Sequence, residues 1–236
     1  MREHKNKNLP RLRLPKLNCD SNITDRNIRP LPNTSFCMVI HGLPGSGKSS
    51  LASSLVCTKG YYKSCFENII VCMPPSSMSS LDPEHPYNFL EHKYDDLDED
   101  TIDIIREFVE ESSSQLNELT FERERTLLIV DDLAAQLKNP SIQKAFLEMI
   151  LNRRHLRLSI MLITQAFNLI PLRIRKNLSH VITFGFVNKK EDKLLYDEIM
   201  QADREEYEEL IRYVFGSAMR APASHDFLYV DLMNRE

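Results

Sequence analysis

The stretch "HGLPGSGKSSL", His41–Leu51, crowds three of the chain's six glycines into the six positions from Gly42 to Gly47. An ordered glycine loses more backbone entropy than any other residue, so such a cluster marks a place where the backbone must do what side chains resist. Gly42, Gly47, Lys48 and Ser49 fit the spacing G-x-x-x-x-G-K-[ST], with Gly45 as a further glycine inside it. The apolar run "SFCMVI" (Ser35–Ile40) precedes the motif and the helical stretch "KSSLASSLVCT" follows it. A strand, a glycine loop and a helix in that order turn successive backbone N–H groups around phosphate oxygens, at the positive end of the helix. The loop Gly42, Leu43, Pro44, Gly45, Ser46, Gly47, Lys48, Ser49 and Ser50 is therefore expected to hold a nucleoside triphosphate. Lys48 would reach the β- and γ-phosphates, and the Ser49 hydroxyl would ligate Mg2+.

A partner for this loop lies downstream. "TLLIVDD" is a strand apolar enough to be buried on both faces, ending in Asp131 and Asp132. Asp131 is placed to bind the metal, directly or through water. Asp132, one residue on and aimed differently, could orient or deprotonate the attacking water, or merely serve as a loop or cap carboxylate. Gln165 ends the strand "SIMLIT" at the carboxyl edge, where open α/β sheets bind ligands. "NRRHLRLS" brings Arg153, Arg154, His155 and Arg157 to the end of a helix that begins at Asn139-Pro140. Cations there suit the helix dipole; a guanidinium offered to a phosphate is the functional alternative.

The remaining pattern alternates strand and helix. "NIIVCM" (Asn68–Met73), Thr126–Val130, Ser159–Thr164, "VITFGF" (Val181–Phe186) and "DFLYVDL" (Asp226–Leu232) read as strands. Helical spacing appears in Thr101–Leu116, through Ile104, Ile105, Phe108 and Val109, in the stretch after Pro140, and from about Glu191. This predicts an α/β fold, with a mainly parallel central sheet flanked by helices on both faces. The acidic runs "DDLDED" and "REEYEE" are expected to be solvated helix faces or loops. Residues 1–34 carry four prolines and eight Lys/Arg against three Asp/Glu, and read as a flexible basic arm ahead of a domain spanning 35–236.

Net charge is −4, so global electrostatics give no support for nucleic-acid binding, and any such surface must be local. The five cysteines form no C-x-x-C pair, which points to free thiols in a reducing compartment. No apolar run approaches the roughly 18 residues of a bilayer span, and the basic N-terminus lacks a signal-peptide core. The chain is expected to be intracellular, with no transmembrane segment.

From Phe36 to about Tyr196 the sequence resembles the genome-packaging ATPases of poxviruses and other large DNA viruses, within the FtsK–HerA superfamily. The segment "LLIVDDLAAQL…FLEMILNRRHLRLSIMLITQAFNLIPLRIRKNLSHVITF" carries the resemblance. It joins an Asp-Asp strand end, an Arg-His pair, a strand ending in Gln and an "IPxxIRxN" stretch in the family's order. The resemblance implies a P-loop NTPase, with ATP as its nucleotide, in which the Gln165 strand lies as an additional strand between the P-loop and Asp131 strands. It places the metal aspartate on Asp131, the water-activating acid on Asp132 and the strand-tip glutamine on Gln165. The arginine finger, supplied by a neighbouring subunit, aligns with Arg154, although Arg153 stands where the family commonly has glycine and so competes for the role. Also implied are a homo-oligomeric ring around double-stranded DNA, gripped without base readout, and capsid or virion-vertex partners. The setting would be the host cytoplasm, the viral factory or the virion. Arg173, Arg175, Lys176, Lys189 and Lys190 are the basic residues available for DNA, each of which could equally be plain surface charge.

Two other functions fit a P-loop. A nucleoside or polynucleotide kinase would need an acceptor pocket and an arginine-rich lid; no separate lid is evident, but Pro74–Asp100 is long enough to hold a substrate loop. A nucleotide-dependent assembly factor would turn ATP over negligibly, which the full set Lys48, Ser49, Asp131 and Asp132 argues against.

Overall fold

Two apolar runs, too uniformly hydrophobic to have a solvent face, become the interior of one sheet. Thr126–Asp131 and Leu158–Thr164 are buried at every position, as parallel strands covered on both sides must be. The computed structural model describes residues 22–116, 122–186, 188–200, 202–216 and 225–233. Within them the order is β1 (Cys37–His41), α1 (Lys48–Cys57), β2 (Asn68–Cys72), α2 (Pro75–Met78), β3 (His92–Tyr94) and α3 (Glu99–Ser114). Then follow β4 (Thr126–Asp131), α4 (Pro140–Asn152), β5 (Leu158–Thr164), α5 (Leu172–Arg175), β6 (His180–Thr183), α6 (Lys189–Glu198), α7 (Arg204–Phe215) and β7 (Leu228–Asp231).

The strands form one seven-stranded sheet in the order β3-β2-β4-β5-β1-β6-β7. All neighbours are parallel except β7, which runs antiparallel to β6. β5 therefore lies between the P-loop strand β1 and the Asp131 strand β4, the additional strand that the family resemblance implies. In register, His41 faces Thr164 across β1 and β5, while Asp131 faces Ile163 across β4 and β5. Every strand end that carries a site residue thus reaches the same edge.

The helices follow their local signals. Asp98 caps α3 by accepting from the Thr101 N–H at 2.8 Å, and Asn139 caps α4 with Pro140 in its first turn. In α3 the buried stripe is Ile102, Ile105, Val109 and Ser112, while Ile104 is exposed; Phe108 is half-buried, packed against the core with its ring centroid 4.2 Å from that of His92. β3 was concealed in the stretch after Pro74. It is only three residues long, polar, and at the sheet edge. α7 contains the acidic run around Glu205–Glu209, solvated on one side and burying Tyr207 and Ile211 on the other.

Two cores result, one on each face of the sheet. One packs α3, α4, α6 and α7 against Cys37, Val39, Leu128, Val130, Ile160 and Leu162. The other packs α1 against Met38, Ile40, Ile129, Met161 and Ile163. Each such side chain contributes about 1.5–3 kcal/mol by leaving water. Ile23 and Ile28 join the second core, and the Tyr62 hydroxyl donates to the Pro32 carbonyl at 2.7 Å. Packing therefore begins upstream of residue 35, from Asn22 onward. Residues 1–21 of the basic arm lie outside the described residues.

Candidate active site

β1 ends at His41 and the chain turns at once through the glycine loop into α1. Gly45 and Gly47 take φ of +75° and +102°, backbone that side-chain-bearing residues rarely adopt. Gly42 is needed for space: a Cβ there would sit 2.7 Å from the Cβ of Phe184, just beyond β6. Within the loop, Ser46 N–H donates to the Leu43 carbonyl at 3.2 Å and Lys48 Nζ donates to the same carbonyl at 2.9 Å. Pro44, Gly45 and Ser50 are exposed, and Leu43, Ser46, Gly47 and Ser49 are half-buried. Burial holds the Lys48 ammonium below the usual lysine range, while Asp132 and Asp131 pull it back up.

The two halves of the expected metal site meet. Ser49 Oγ donates to Asp131 Oδ2 at 2.7 Å. Asp131 is buried, and its other oxygen, Oδ1, has no hydrogen-bond partner. Burial pushes its carboxyl up to about 6, opposed by the Ser49 hydrogen bond. A buried carboxylate oxygen without a partner is costly, and a hydroxyl beside a carboxylate is the hard-oxygen donor set that magnesium prefers. The residues present fit that ion.

Asp132 stands at φ +57°, which swings its side chain out of line with the strand. Its N–H still donates to the Ile163 carbonyl at 3.0 Å, so the kink is held by β5. Gln165 Nε2 donates to Asp132 Oδ2 at 3.4 Å, and both side chains are exposed at the carboxyl edge. Lys48, Ser49, Asp131, Asp132 and Gln165 are thus brought together on one side of the loop.

Arg154 is not among them. α4 runs back across the sheet, and Arg153–Arg157 form the turn that leads into the start of β5. Seven residues of β5 then separate that turn from Gln165, about 26 Å at 3.3 Å per residue. Arg153 is half-buried, its Nη1 donating to the Ile150 carbonyl at 2.9 Å. Arg157 is buried and paired with Glu122 at 3.3 Å. Arg154 and His155 are exposed.

The basic residues proposed for DNA divide. Arg173, Lys176, Lys189 and Lys190 are exposed. Arg175 is engaged within the fold: it grips Glu198 with Nε at 2.7 Å and Nη2 at 2.8 Å, donates to the Ile170 carbonyl and lies over the Phe167 ring. With three of its five N–H donors engaged and its side chain 10% exposed, Arg175 is held mainly as a structural residue.

Sequence reading missed what lies on the other side of the loop. His225, just before β7, places Nδ1 2.9 Å from the Ser46 carbonyl, across 179 residues of chain. His41 is buried between Phe167 and Phe186, with Nε2 unpartnered and its pKa pushed down to about 3 by burial, then by Lys48. Nothing local in the sequence signals either contact.

Fold and site together define a P-loop NTPase of the FtsK–HerA kind, with its additional strand between the phosphate-loop and aspartate strands. The model of the family described as "Poxvirus A32 protein" matches residues 25–222, and the chain belongs to that family. Among solved structures, the genome packaging NTPase B204 of Sulfolobus turreted icosahedral virus 2 is similar in its complexes with ATP-gammaS and with sulfate. The first is 19% identical with TM-score 0.54, over 84% of this chain and 93% of that one. The second is 20% identical with TM-score 0.55, over 85% and 93%. EssC (ATPases 2 and 3) from Geobacillus thermodenitrificans is 17% identical with TM-score 0.53, over 71% of this chain and 35% of that one. A search of curated protein sequences returns no match. No helix among the described residues is long and apolar enough to cross a membrane.

Proposed function

We propose that this chain is an ATP-hydrolysing motor that moves double-stranded DNA, packaging a viral genome into its capsid. The observation that carries the reading is the Ser49–Asp131 hydrogen bond, with Asp131 Oδ1 unpartnered beside a glycine cradle. It joins two motifs 82 residues apart into one phosphate and metal site, in a chain of the poxvirus A32 family. The description of B204 as a genome packaging NTPase supports the same direction.

In this reading the loop N–H groups and Lys48 bind the phosphates of ATP, while Ser49 and Asp131 hold magnesium. Bound magnesium would supply positive charge to the β- and γ-phosphate oxygens. Asp132 takes a proton from the attacking water, and Gln165 holds Asp132 and the water in line. Arg154 serves a neighbour's site, because it stands at the opposite edge of the sheet from its own phosphate loop. Arg173, Lys176, Lys189 and Lys190 remain as phosphate-backbone contacts inside a ring. Capsid or vertex proteins would dock outside it.

The test is ATP hydrolysis by the full chain, with and without long double-stranded DNA. Several-fold stimulation independent of base sequence is expected. DNA-independent transfer of phosphate to a small hydroxyl acceptor would make the protein a kinase. Nucleotide binding with no turnover under either condition would make it an assembly factor.

A further inference from the structure

Lys48, Ser49, Asp131, Asp132 and Gln165 all act on the phosphate end of a nucleotide. They also lie on one side of β1, toward β5 and β4. A triphosphate held in the loop with its γ end toward Asp131, Asp132 and Gln165 must run its α end the other way. That side is formed by β6 and β7.

The structure has a wall there. Phe184 follows β6, its N–H donating to the His41 carbonyl at 2.9 Å, and it presses on both ends of the loop. Its Cβ crowds Gly42, and its ring edge lies 3.7 Å from where a Cβ on Gly47 would stand. Phe227 packs on Phe184 with ring centroids 5.4 Å apart, yet is 42% exposed. His225 completes the wall. Its Nδ1 lies 3.2 Å from the same hypothetical Gly47 Cβ and 2.9 Å from the Ser46 carbonyl. A carbonyl oxygen only accepts, so Nδ1 carries the hydrogen, and Nε2 of the neutral ring is left as an acceptor. An exposed aromatic ring and a ring-nitrogen acceptor flank a phosphate cradle, on the side away from the carboxylates. That is the chemistry that receives a base and a ribose.

We propose that Phe227 and His225 form the nucleoside subsite of this P-loop, Phe227 stacking the base and His225 Nε2 accepting from a ribose hydroxyl. The subsite deepens the ATPase reading and rests on it. It is supplied by the segment leading into β7, beyond residue 222, where the family match ends. Stacking alone tolerates any base, so the subsite binds nucleosides as a class and does not select adenine.

The experiment compares ATP with inorganic tripolyphosphate, both with magnesium, by calorimetry on the full chain. Wild type is expected to bind ATP at least ten-fold more tightly than tripolyphosphate. Phe227→Ala should weaken ATP about ten-fold and leave tripolyphosphate unchanged, within the range that base–aromatic stacking supplies. Phe227→Tyr should restore ATP affinity, which separates stacking from loss of fold, and His225→Ala should weaken ATP but not the 2′,3′-dideoxy nucleotide. Equal loss of both ligands in Phe227→Ala would show that the ring only props the loop, and would overturn the subsite. Unchanged ATP affinity in that variant would overturn it too, as would wild type that does not distinguish the two ligands. In all three cases the phosphate loop stands. Wild type that binds neither ligand would instead overturn the ATPase reading beneath it.

Discussion

Arg175→Ala distinguishes a structural arginine from a DNA contact, and its effect can be sized from the structure. The side chain is 10% exposed, holds Glu198 by two charge-assisted hydrogen bonds, donates to the Ile170 carbonyl and covers the Phe167 ring. Removing one partner of a buried ion pair costs about 3–5 kcal/mol, mostly because the other charge stays behind. Glu198 is 24% exposed, so water recovers part of its solvation and about 2–4 kcal/mol is the expected loss. For a chain of this size each kcal/mol lowers Tm by about 2–4 °C, giving a fall of about 4–16 °C. Thermal unfolding by circular dichroism measures it, and DNA binding as a function of salt supplies the contrast. Arg173→Ala, two residues earlier and exposed, should leave Tm unchanged and flatten the log affinity against log salt slope by about 0.9. Arg175→Ala should leave that slope alone at temperatures where it is folded. An Arg175→Ala protein melting within about 1 °C of wild type, yet showing the flattened slope, would refute the reasoning and return Arg175 to the DNA surface.

Asp132→Asn should bind ATP as wild type does and lose hydrolysis, since an amide cannot take the proton; wild-type turnover would remove Asp132 from the mechanism. Mixing Arg154→Ala with Lys48→Ala subunits, each inactive alone, should restore part of the ATPase activity, because some interfaces pair an intact loop with an intact finger. Known fingers contribute about 10³–10⁵ in turnover, so recovery is easily read; recovery with Arg153→Ala in place of Arg154→Ala would move the finger one residue upstream. Burial pushes the His180 pKa from 6.5 down to about 4, against the pull of Asp231. A depressed folded pKa means that the unfolded chain takes the proton first, so stability present above 6.5 is lost as pH falls toward 4. That is about 3 kcal/mol, at 1.36 kcal/mol for each power of ten in proton affinity. Urea midpoints should fall across this window in wild type and less in His180→Gln; equal slopes would exclude His180 as the acid-sensitive group.

The phosphate site was legible because its chemistry is local in sequence. Gly42–Ser49 is one contiguous turn, and Asp131, Asp132 and Gln165 each end a strand whose apolar run announces it. Parallel pairing then forces such ends to one edge, so the meeting of Ser49 with Asp131 follows once β1, β4 and β5 are neighbours. The sequence hides what depends on return paths across the sheet. His225 reaches the loop only because β7 reverses and pairs with β6, and a lone histidine after an alanine-rich stretch carries no such signal. Arg175 looked like one more basic surface residue. Its burial depends on α6 bringing Glu198 alongside, 23 residues later. Ile23 and Ile28 were passed over for a similar reason, since two isolated apolar residues among prolines and asparagines show no periodicity. They join a core whose other members, such as Ala52, Leu55, Tyr62 and Ile182, lie far along the chain.

If Arg154 is the finger, its position sets a condition on turnover. β5 is buried at all seven positions and paired on both sides, with β4 and with β1. A strand so held cannot shorten or swing, so the turn at its start and Gln165 at its end stay about 26 Å apart. A subunit therefore cannot bring its own Arg154 to its own phosphate loop by any movement short of unfolding the sheet. If Arg154 is the finger, each chain offers a phosphate loop at one edge of the sheet and a guanidinium at the other, and the two would serve different neighbours. A head-to-tail contact would complete one site and leave a loop at one end and a guanidinium at the other, so it would repeat, closing into a ring where the rotation between copies allows. Intact Lys48, Ser49, Asp131 and Asp132 then do not make the isolated chain a fast ATPase. On that reading hydrolysis would wait on assembly, and a motor that had not closed its ring would spend little ATP.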